Sequence, residues 1–134
     1  MVLNNPTTLT EIRRPGEFIV SEGNGTISRE VGTLASGLVV ADGTVVKVSG
    51  DYLTPLTADD FDTEGVSTDV EIAGVLIGHH DSSATGTNAA IPGLPYIARD
   101  AEVDSSLLVL FTGSTAQELA DVLAVLKTEH IVAR

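Results

Sequence analysis

Two adjacent histidines and the aspartate that follows them are the residues whose types could do chemistry. His79, His80 and Asp81 offer two imidazoles and a carboxylate, which are donors that zinc sites use. Neighbouring residues on a strand point to opposite faces, so consecutive imidazoles rarely reach one ion. The chain has no cysteine, and its third histidine, His130, is distant in sequence. We therefore interpret the triplet as the end of a strand that runs into a polar loop, and we predict no metal site.

Two further patterns match known chemical sites only in part. The segment 57–68 is acidic, but it has neither the spacing nor the turn glycine of a calcium loop. Lys47 follows Gly43 in an apolar run, as in a biotin or lipoyl carrier strand, but it does not lie on a recognisable carrier turn. The sequence contains no nucleophile-elbow, phosphate-loop or dinucleotide glycine motif. It therefore predicts a protein that is not an enzyme, with no catalytic residues and no cofactor.

The composition argues against two classes of partner. Nineteen acidic and seven basic residues give a net charge of −12, so the chain cannot form the basic stripe that nucleic-acid binding needs. Such acidity is typical of a soluble surface, or of one that meets a partner with basic patches. No apolar run approaches the ~20 residues of a membrane span, and the first residues lack the pattern of a signal peptide. We expect a protein made in the cytoplasm that binds neither nucleic acid nor membrane.

The elements that would position these residues are mostly short strands. Near the start of the chain, segments 17–22 and 27–34 have β-type composition and flank the turn residues Asn24 and Gly25. This arrangement predicts a hairpin, because Asn-Gly tolerates the backbone angles of a tight turn. A lone hairpin is only marginally stable in water. It therefore needs a sheet to join, in its own chain or in another one.

The middle of the chain predicts a strand pair and two buried strands. Segment 38–56 contains apolar runs separated by Asp42-Gly43 and by Gly50-Asp51, and both dipeptides are hairpin signals. Segment 70–78 begins by alternating and becomes continuously apolar, as a buried central strand does. The apolar segment 107–111 predicts another buried strand.

The only convincing helix lies near the end of the chain. Thr115 and Glu118 have the spacing of a capping box at its start. One apolar stripe follows, made of Leu119, Val122, Leu123 and Leu126. The stripe is widened by Ala116, Ala120, Ala124 and Val125. The extra width indicates either a second neighbour, such as another subunit, or simply residues that favour a helix.

Together these elements predict an α+β fold that is mostly β. We expect a small single domain with short antiparallel strands, one C-terminal helix and an extended N-terminal arm. Residues 1–13 are too polar to bury much area. We assign residues 1–34 to the arm, which we expect to be dispensable for folding, and residues 35–134 to the body.

One long run in the arm resembles a known family. The sequence from Phe18 to Glu30, FIVSEGNGTISRE, is similar to the N-terminal signature of lambda-type phage head decoration proteins. Segments 35–37 and 43–45 continue the resemblance, and segments 73–76 and 97–103 resemble the family's core strands. Residues 126–134 resemble its C-terminus, whereas segment 78–95 departs from its pattern.

The resemblance implies a structural function in a virus particle. It implies a late protein that binds as a homotrimer at three-fold and quasi-three-fold sites on the outer surface of the expanded head. There it would clamp neighbouring major capsid proteins against the pressure of packaged DNA. The capsid-binding residues that we predict on this basis are Pro15, Phe18, Ile19, Val20, Ile27, Arg29, Glu30 and Val31. The predicted trimer-interface residues are Leu119, Val122 and Val125.

Two alternative functions belong to other classes. One is a small β-rich carrier or enzyme accessory domain built around the hairpin at Gly43. The other is a metal-dependent hydrolase that uses His79 and His80. Particle size and metal content distinguish them, since decoration predicts a metal-free trimer and the hydrolase predicts a metal-loaded monomer.

Overall fold

The structure is built from short strands and one α-helix. The computed structural model describes residues 13–134, and strands account for 39% of these residues. In chain order the strands are β1 (Ile19–Glu22), β2 (Arg29–Leu34), β3 (Val39–Val40), β4 (Val45–Ser49), β5 (Tyr52–Pro55), β6 (Phe61–Asp62), β7 (Gly65–Val66), β8 (Ile72–Leu76), β9 (His80–Asp81), β10 (Ile91–Ile97), β11 (Ala101–Val103) and β12 (Ile131–Ala133). The helix α1 spans Ala116–Thr128, and two 3₁₀ turns span Ala58–Asp60 and Ser105–Leu107. These elements confirm the predicted small, mostly β domain with one C-terminal helix.

A closed five-stranded barrel organises the fold. Its strands follow one another around the barrel in the order β10, β2, β5, β4 and β8, and β8 closes the ring on β10. All but one of these contacts are antiparallel, the exception being a single pair between Leu34 in β2 and Leu53 in β5. A separate sheet has the order β1, β11, β12, and two strand pairs join β3 to β9 and β6 to β7. Closure leaves the barrel strands without free edges.

Side chains alternate between two cores. In β4, Val45 packs in one cluster with Phe18 and the helix residue Val122, while Val46 belongs to a second cluster. In β8, Val75 and Leu76 divide between the same two clusters. The second cluster takes a leucine or valine from each barrel strand, so it fills the barrel, and the first lies between the barrel and α1. Because both faces of these strands are buried, their sequences are continuously apolar and do not alternate between apolar and polar residues.

The helix begins and packs as the sequence predicts. The Thr115 hydroxyl accepts a hydrogen bond from the Glu118 N–H at 3.1 Å, and the Glu118 carboxylate accepts one from the Thr115 N–H at 2.7 Å. This reciprocal capping box satisfies two N–H groups at the helix start. Val122 and Leu126 are buried against the first core. Within residues 13–134, no helix is long and apolar enough to cross a membrane.

Three predicted strand arrangements are wrong. β1 and β2 do not form a hairpin, because β1 pairs with β11 whereas β2 pairs with β10 and β5. The turn at Asp42-Gly43 does not pair β3 with β4, since β3 pairs with β9. The segment 107–111 is not a strand and makes only a single bridge, between Thr44 and Val109. The hairpin of β4 and β5 at Gly50-Asp51 and the buried strand β8 are confirmed.

Much of the predicted arm is part of the folded domain. Residues 1–12 lie outside the described part of the chain. Both β1 and β2, however, are hydrogen-bonded strands of the domain, and Phe18 and Leu34 are fully buried. The sheet that segments 17–22 and 27–34 require is therefore supplied by their own chain.

Gly74 is the position where the barrel tolerates least change. Its φ is +153°, and an added Cβ would overlap the carbonyl oxygen of Ile97 on the neighbouring strand β10. We expect Gly74→Ala to lower the free energy of unfolding by about 2–4 kcal/mol, because it forces two barrel strands apart and strains the backbone. Gly50→Ala is the control, since Gly50 also has a positive φ of +61° but nothing lies within 4 Å. Equal losses for the two variants in urea unfolding would contradict this expectation.

Candidate functional site

The N-terminal segment enters the described fold at a buried aspartate. Asp42 is fully buried, and its Oδ1 atom accepts hydrogen bonds from the N–H groups of Gly16 at 2.8 Å and Gly78 at 2.7 Å. The Arg13 guanidinium donates to the carbonyl oxygens of Asp42 and Leu107, both at 2.9 Å. The side chains of Arg13 and Asp42 thus hold the first described residues to the body of the domain. We call this arrangement of Arg13, Gly16, Asp42, Gly78 and His79 the clasp.

His79 completes the clasp from the other side. Its Nδ1 accepts a hydrogen bond from the Asp42 N–H at 3.3 Å, and its Nε2 lies 2.9 Å from the carbonyl oxygen of Arg13. An N–H can only donate and a carbonyl oxygen can only accept, so this geometry requires a neutral imidazole with its proton on Nε2. His79 therefore joins the backbones of two segments.

The neighbouring residues have separate partners. His80 bonds through Nε2 to the carbonyl oxygen of Ile77 at 2.9 Å, and His80 and Asp81 form β9. The Asp81 carboxylate accepts hydrogen bonds from Ser83 and Thr85, and these lower its pKa. In the described part of the chain, no three His, Cys, Asp or Glu side chains are arranged to hold a metal ion.

The predicted capsid-binding residues divide into exposed and buried groups. Val20, Ile27 and Val31 expose 54%, 57% and 69% of their surface. Pro15 is also exposed, whereas Ile19 is half-buried and packs against the first core. Phe18 exposes none of its surface, because its ring lies in the core beside Val45 and Val103. In this structure Phe18 therefore cannot act as a surface anchor, which corrects its predicted role.

The turn that carries Ile27 is held firmly in place. Ser28 is buried, and its hydroxyl accepts a hydrogen bond from the Gly23 N–H and donates one to the Asp100 carbonyl oxygen, both at 2.7 Å. Arg99 also donates to the carbonyl oxygen of Ile27 at 2.6 Å. The exposed Ile27 side chain is thus presented on a preorganised turn, which reduces the entropy lost when a partner binds it.

Arg29 and Glu30 are already paired within the chain. The Arg29 guanidinium donates two hydrogen bonds to the Glu22 carboxylate, at 2.8 and 2.9 Å, and these lower the pKa of Glu22. Glu30 pairs with Arg99 and raises the pKa of that guanidinium. Both pairs are partly exposed, so each contributes little to stability. Any charge pairing with another protein would have to compete with these contacts.

The predicted trimer-interface residues are not equally accessible. Val122 exposes none of its surface because it belongs to the core, so its predicted interface role is corrected. Leu119 and Val125 are half-buried. The alanines that widen the helical stripe, Ala116, Ala120 and Ala124, are exposed. Beside them, a groove of about 300 Å³ lies between α1 and β12 and is lined by Ala120, Leu123, Ala124, Lys127, Ile131, Val132 and Ala133.

The charge on the surface remains strongly acidic. Four of the seven basic residues pair with carboxylates of the same chain, namely Arg29, Lys47, Arg99 and Arg134. The other acidic residues within residues 13–134 form no ion pair with a lysine or arginine. Within residues 13–134 the structure therefore has no basic stripe of the kind that phosphate backbones require.

The fold and its surface define a small, acidic β-barrel protein. The chain matches the family model described as bacteriophage lambda head decoration protein D over residues 8–131, and it belongs to this family. The match includes segment 78–95, which sequence resemblance left out. No significant match was found among curated proteins or among solved structures.

Family membership decides between the three functions considered from sequence. The protein is a structural decoration protein of the phage head, located in the virion, and it is not an enzyme. The metal-dependent hydrolase is therefore excluded, and the carrier or accessory domain is replaced by the family's function. The sequence signal that identified the family was the run from Phe18 to Glu30. No comparable sequence pattern revealed the clasp, because Asp42 has the sequence context of an ordinary turn residue.

Proposed function

We propose that the protein binds the major capsid protein as a homotrimer at three-fold and quasi-three-fold positions on the outer surface of the expanded head. There it clamps neighbouring capsid subunits against the outward pressure of packaged DNA. The observation that carries this proposal is the family match, which covers residues 8–131 of the chain. Synthesis in the host cytoplasm precedes assembly onto the head.

We propose that the capsid-facing surface combines exposed apolar side chains of the folded domain with the N-terminal segment. Val20 and Ile27 lie within the family's signature run and Val31 directly follows it, and all three are large apolar side chains that are exposed. Residues 1–12 precede the clasp and supply the part of the arm that can add a strand to a sheet edge of a capsid protein. Backbone pairing then contributes affinity, and the exposed apolar side chains supply anchors.

The trimer contact is best accommodated by the face of α1 that carries its alanines. Ala116, Ala120 and Ala124 are exposed, and small side chains allow another chain to approach closely. The adjoining groove and the exposed Val132 on the edge strand β12 extend this apolar surface. Leu119 and Val125, which are half-buried, are proposed to become fully buried in the trimer.

Trimer formation would strengthen capsid binding. Three N-terminal segments held on one particle raise each other's effective concentration at the capsid, so individually weak contacts combine into stable attachment. If the matching sheet edges form only when the head expands, binding follows maturation without any enzyme. The proposed mechanism thus depends on geometry and multivalency.

Light scattering and co-sedimentation test this proposal together. Purified protein is expected to have three times the mass of one chain, and to sediment with expanded heads of the cognate phage but not with unexpanded ones. A parallel assay follows DNA-filled heads at rising temperature, and added protein is expected to delay their rupture. A stable monomer, or equal binding to both head forms, would contradict the proposal.

A further inference from the structure

The clasp brings together residues that are far apart in sequence at the point where the N-terminal segment joins the body. Arg13 and Gly16 lie at the start of the described chain, Asp42 precedes β4, and His79 follows β8. The geometry points to Asp42 and His79 as positioning residues for capsid binding. They fix residues 13–16, which we call the root of the N-terminal segment. This inference rests on the proposed function, since it assigns these residues a role in the same attachment.

The burial of Asp42 is the first observation. Its side chain is inaccessible, and its Oδ2 atom has no hydrogen-bond partner within residues 13–134. Burying a carboxyl group is costly unless it is well hydrogen-bonded, so a residue needed only for a turn would not have a buried acidic side chain. The two bonds that Oδ1 does make join Gly16 to Gly78. The carboxylate is therefore used to hold the N-terminal root against the end of β8.

The position of His79 is the second observation. Its side chain is exposed, so packing does not fix the ring and its two hydrogen bonds must do so. Those bonds run to the backbones of Asp42 and Arg13, and the Arg13 side chain returns to the Asp42 carbonyl oxygen. The result is a closed ring of contacts that fixes both the side chain and the carbonyl of Arg13.

A fixed root has a direct consequence for binding. Because the contacts of the clasp order residues 13–16 before binding, these residues lose little further backbone entropy when the segment meets the capsid. A released root adds that entropy loss to the cost of binding and lets the segment leave the body in many directions. We expect release of the clasp to weaken attachment to heads by about tenfold or more, through the N-terminal segment and without loss of the fold.

Trypsin cleavage reports the clasp without any capsid. The bond after Arg13 is a cleavage site, whereas the bond after Arg14 precedes Pro15 and resists trypsin. Cleavage requires the Arg13 side chain to leave the carbonyl oxygens of Asp42 and Leu107. We expect slow cleavage of the wild-type protein at this bond, and cleavage at least about tenfold faster in His79→Ala and Asp42→Ala, since opening of the clasp precedes the cut. His80→Ala is the matched control and should behave as wild type, because within residues 13–134 its side chain bonds to the Ile77 carbonyl oxygen and to no member of the clasp.

The same variants are then compared for binding to expanded heads, with thermal midpoints and particle mass recorded. His79→Ala is expected to bind about tenfold more weakly, with an unchanged midpoint and mass. His79→Gln should restore part of both readouts, since an amide can accept from the Asp42 N–H and donate to Arg13. His79→Ala also keeps the test valid if Asp42→Ala fails to fold.

The outcomes separate this inference from the proposed function. Cleavage of His79→Ala at the wild-type rate would overturn the clasp, whatever the capsid result. Faster cleavage with undiminished binding would overturn its role in attachment. If wild-type protein does not bind heads at all, the proposed function fails, and the positioning role fails with it, while the cleavage data still judge the clasp.

Discussion

Phe18→Ala is expected to lower the free energy of unfolding by about 3–5 kcal/mol, the range found when a buried phenylalanine is truncated. The ring has no exposed surface and lies in the core cluster that also contains Val103 of β11 and Val122 of α1. Truncation would leave a cavity where the barrel, the three-stranded sheet and the helix meet. Domains of this size typically have a free energy of unfolding of only about 5–15 kcal/mol, so this loss is large.

The matched control is Val31→Ala, because Val31 directly follows the signature run and is 69% exposed. We expect its stability to stay within about 0.5 kcal/mol of wild type, because its side chain contributes little to the core. Its capsid binding should fall instead. Urea unfolding followed by circular dichroism measures the first effect, and co-sedimentation with heads measures the second. A Phe18→Ala protein as stable as wild type would show that residue 18 is not a core position.

Local patterns in the sequence predicted local structure well. The capping box at Thr115 and the i, i+3, i+4 stripe predicted α1, and Gly50-Asp51 predicted the hairpin of β4 and β5. Both features depend on residues a few positions apart. Pairing between strands that are distant in sequence depends on residues far apart. Local patterns therefore did not reveal that β1 pairs with β11 and not with its sequence neighbour β2. Segment 107–111 was apolar because it packs on the core, not because it extends into a strand.

The same contrast between local and long-range features applies to the candidate site. The exposure of Val20, Ile27 and Val31 agrees with their predicted place on the surface, although their role in binding is still a prediction. Phe18 and Val122 could not be told apart from surface residues, because an apolar side chain suits a core and an interface equally well. The clasp joins residues 26 to 66 positions apart, so no local motif could reveal it.

Deletion of residues 1–12 is expected to leave the fold intact and to weaken capsid binding by on the order of a hundredfold or more. The closed barrel and both core clusters are built from residues after Arg13, so the thermal midpoint should stay close to that of wild type. The loss of binding is large because each trimer would lose three segments whose contacts reinforce one another. Deletion of residues 1–34 is a different experiment, because it removes β1, β2 and the buried Phe18 and Leu34.

That longer deletion is expected to unfold the protein, since a barrel without β2 exposes the edges of β5 and β10 and opens the core. The shorter deletion therefore isolates the arm, and replacing residues 1–12 with a glycine-serine linker of equal length controls for length alone. Circular dichroism confirms the fold of each protein before titration onto expanded heads. If the protein lacking residues 1–12 bound at full strength, attachment would have to lie on the body, where the firmly held Ile27 and the exposed Val31 are the surfaces to vary next.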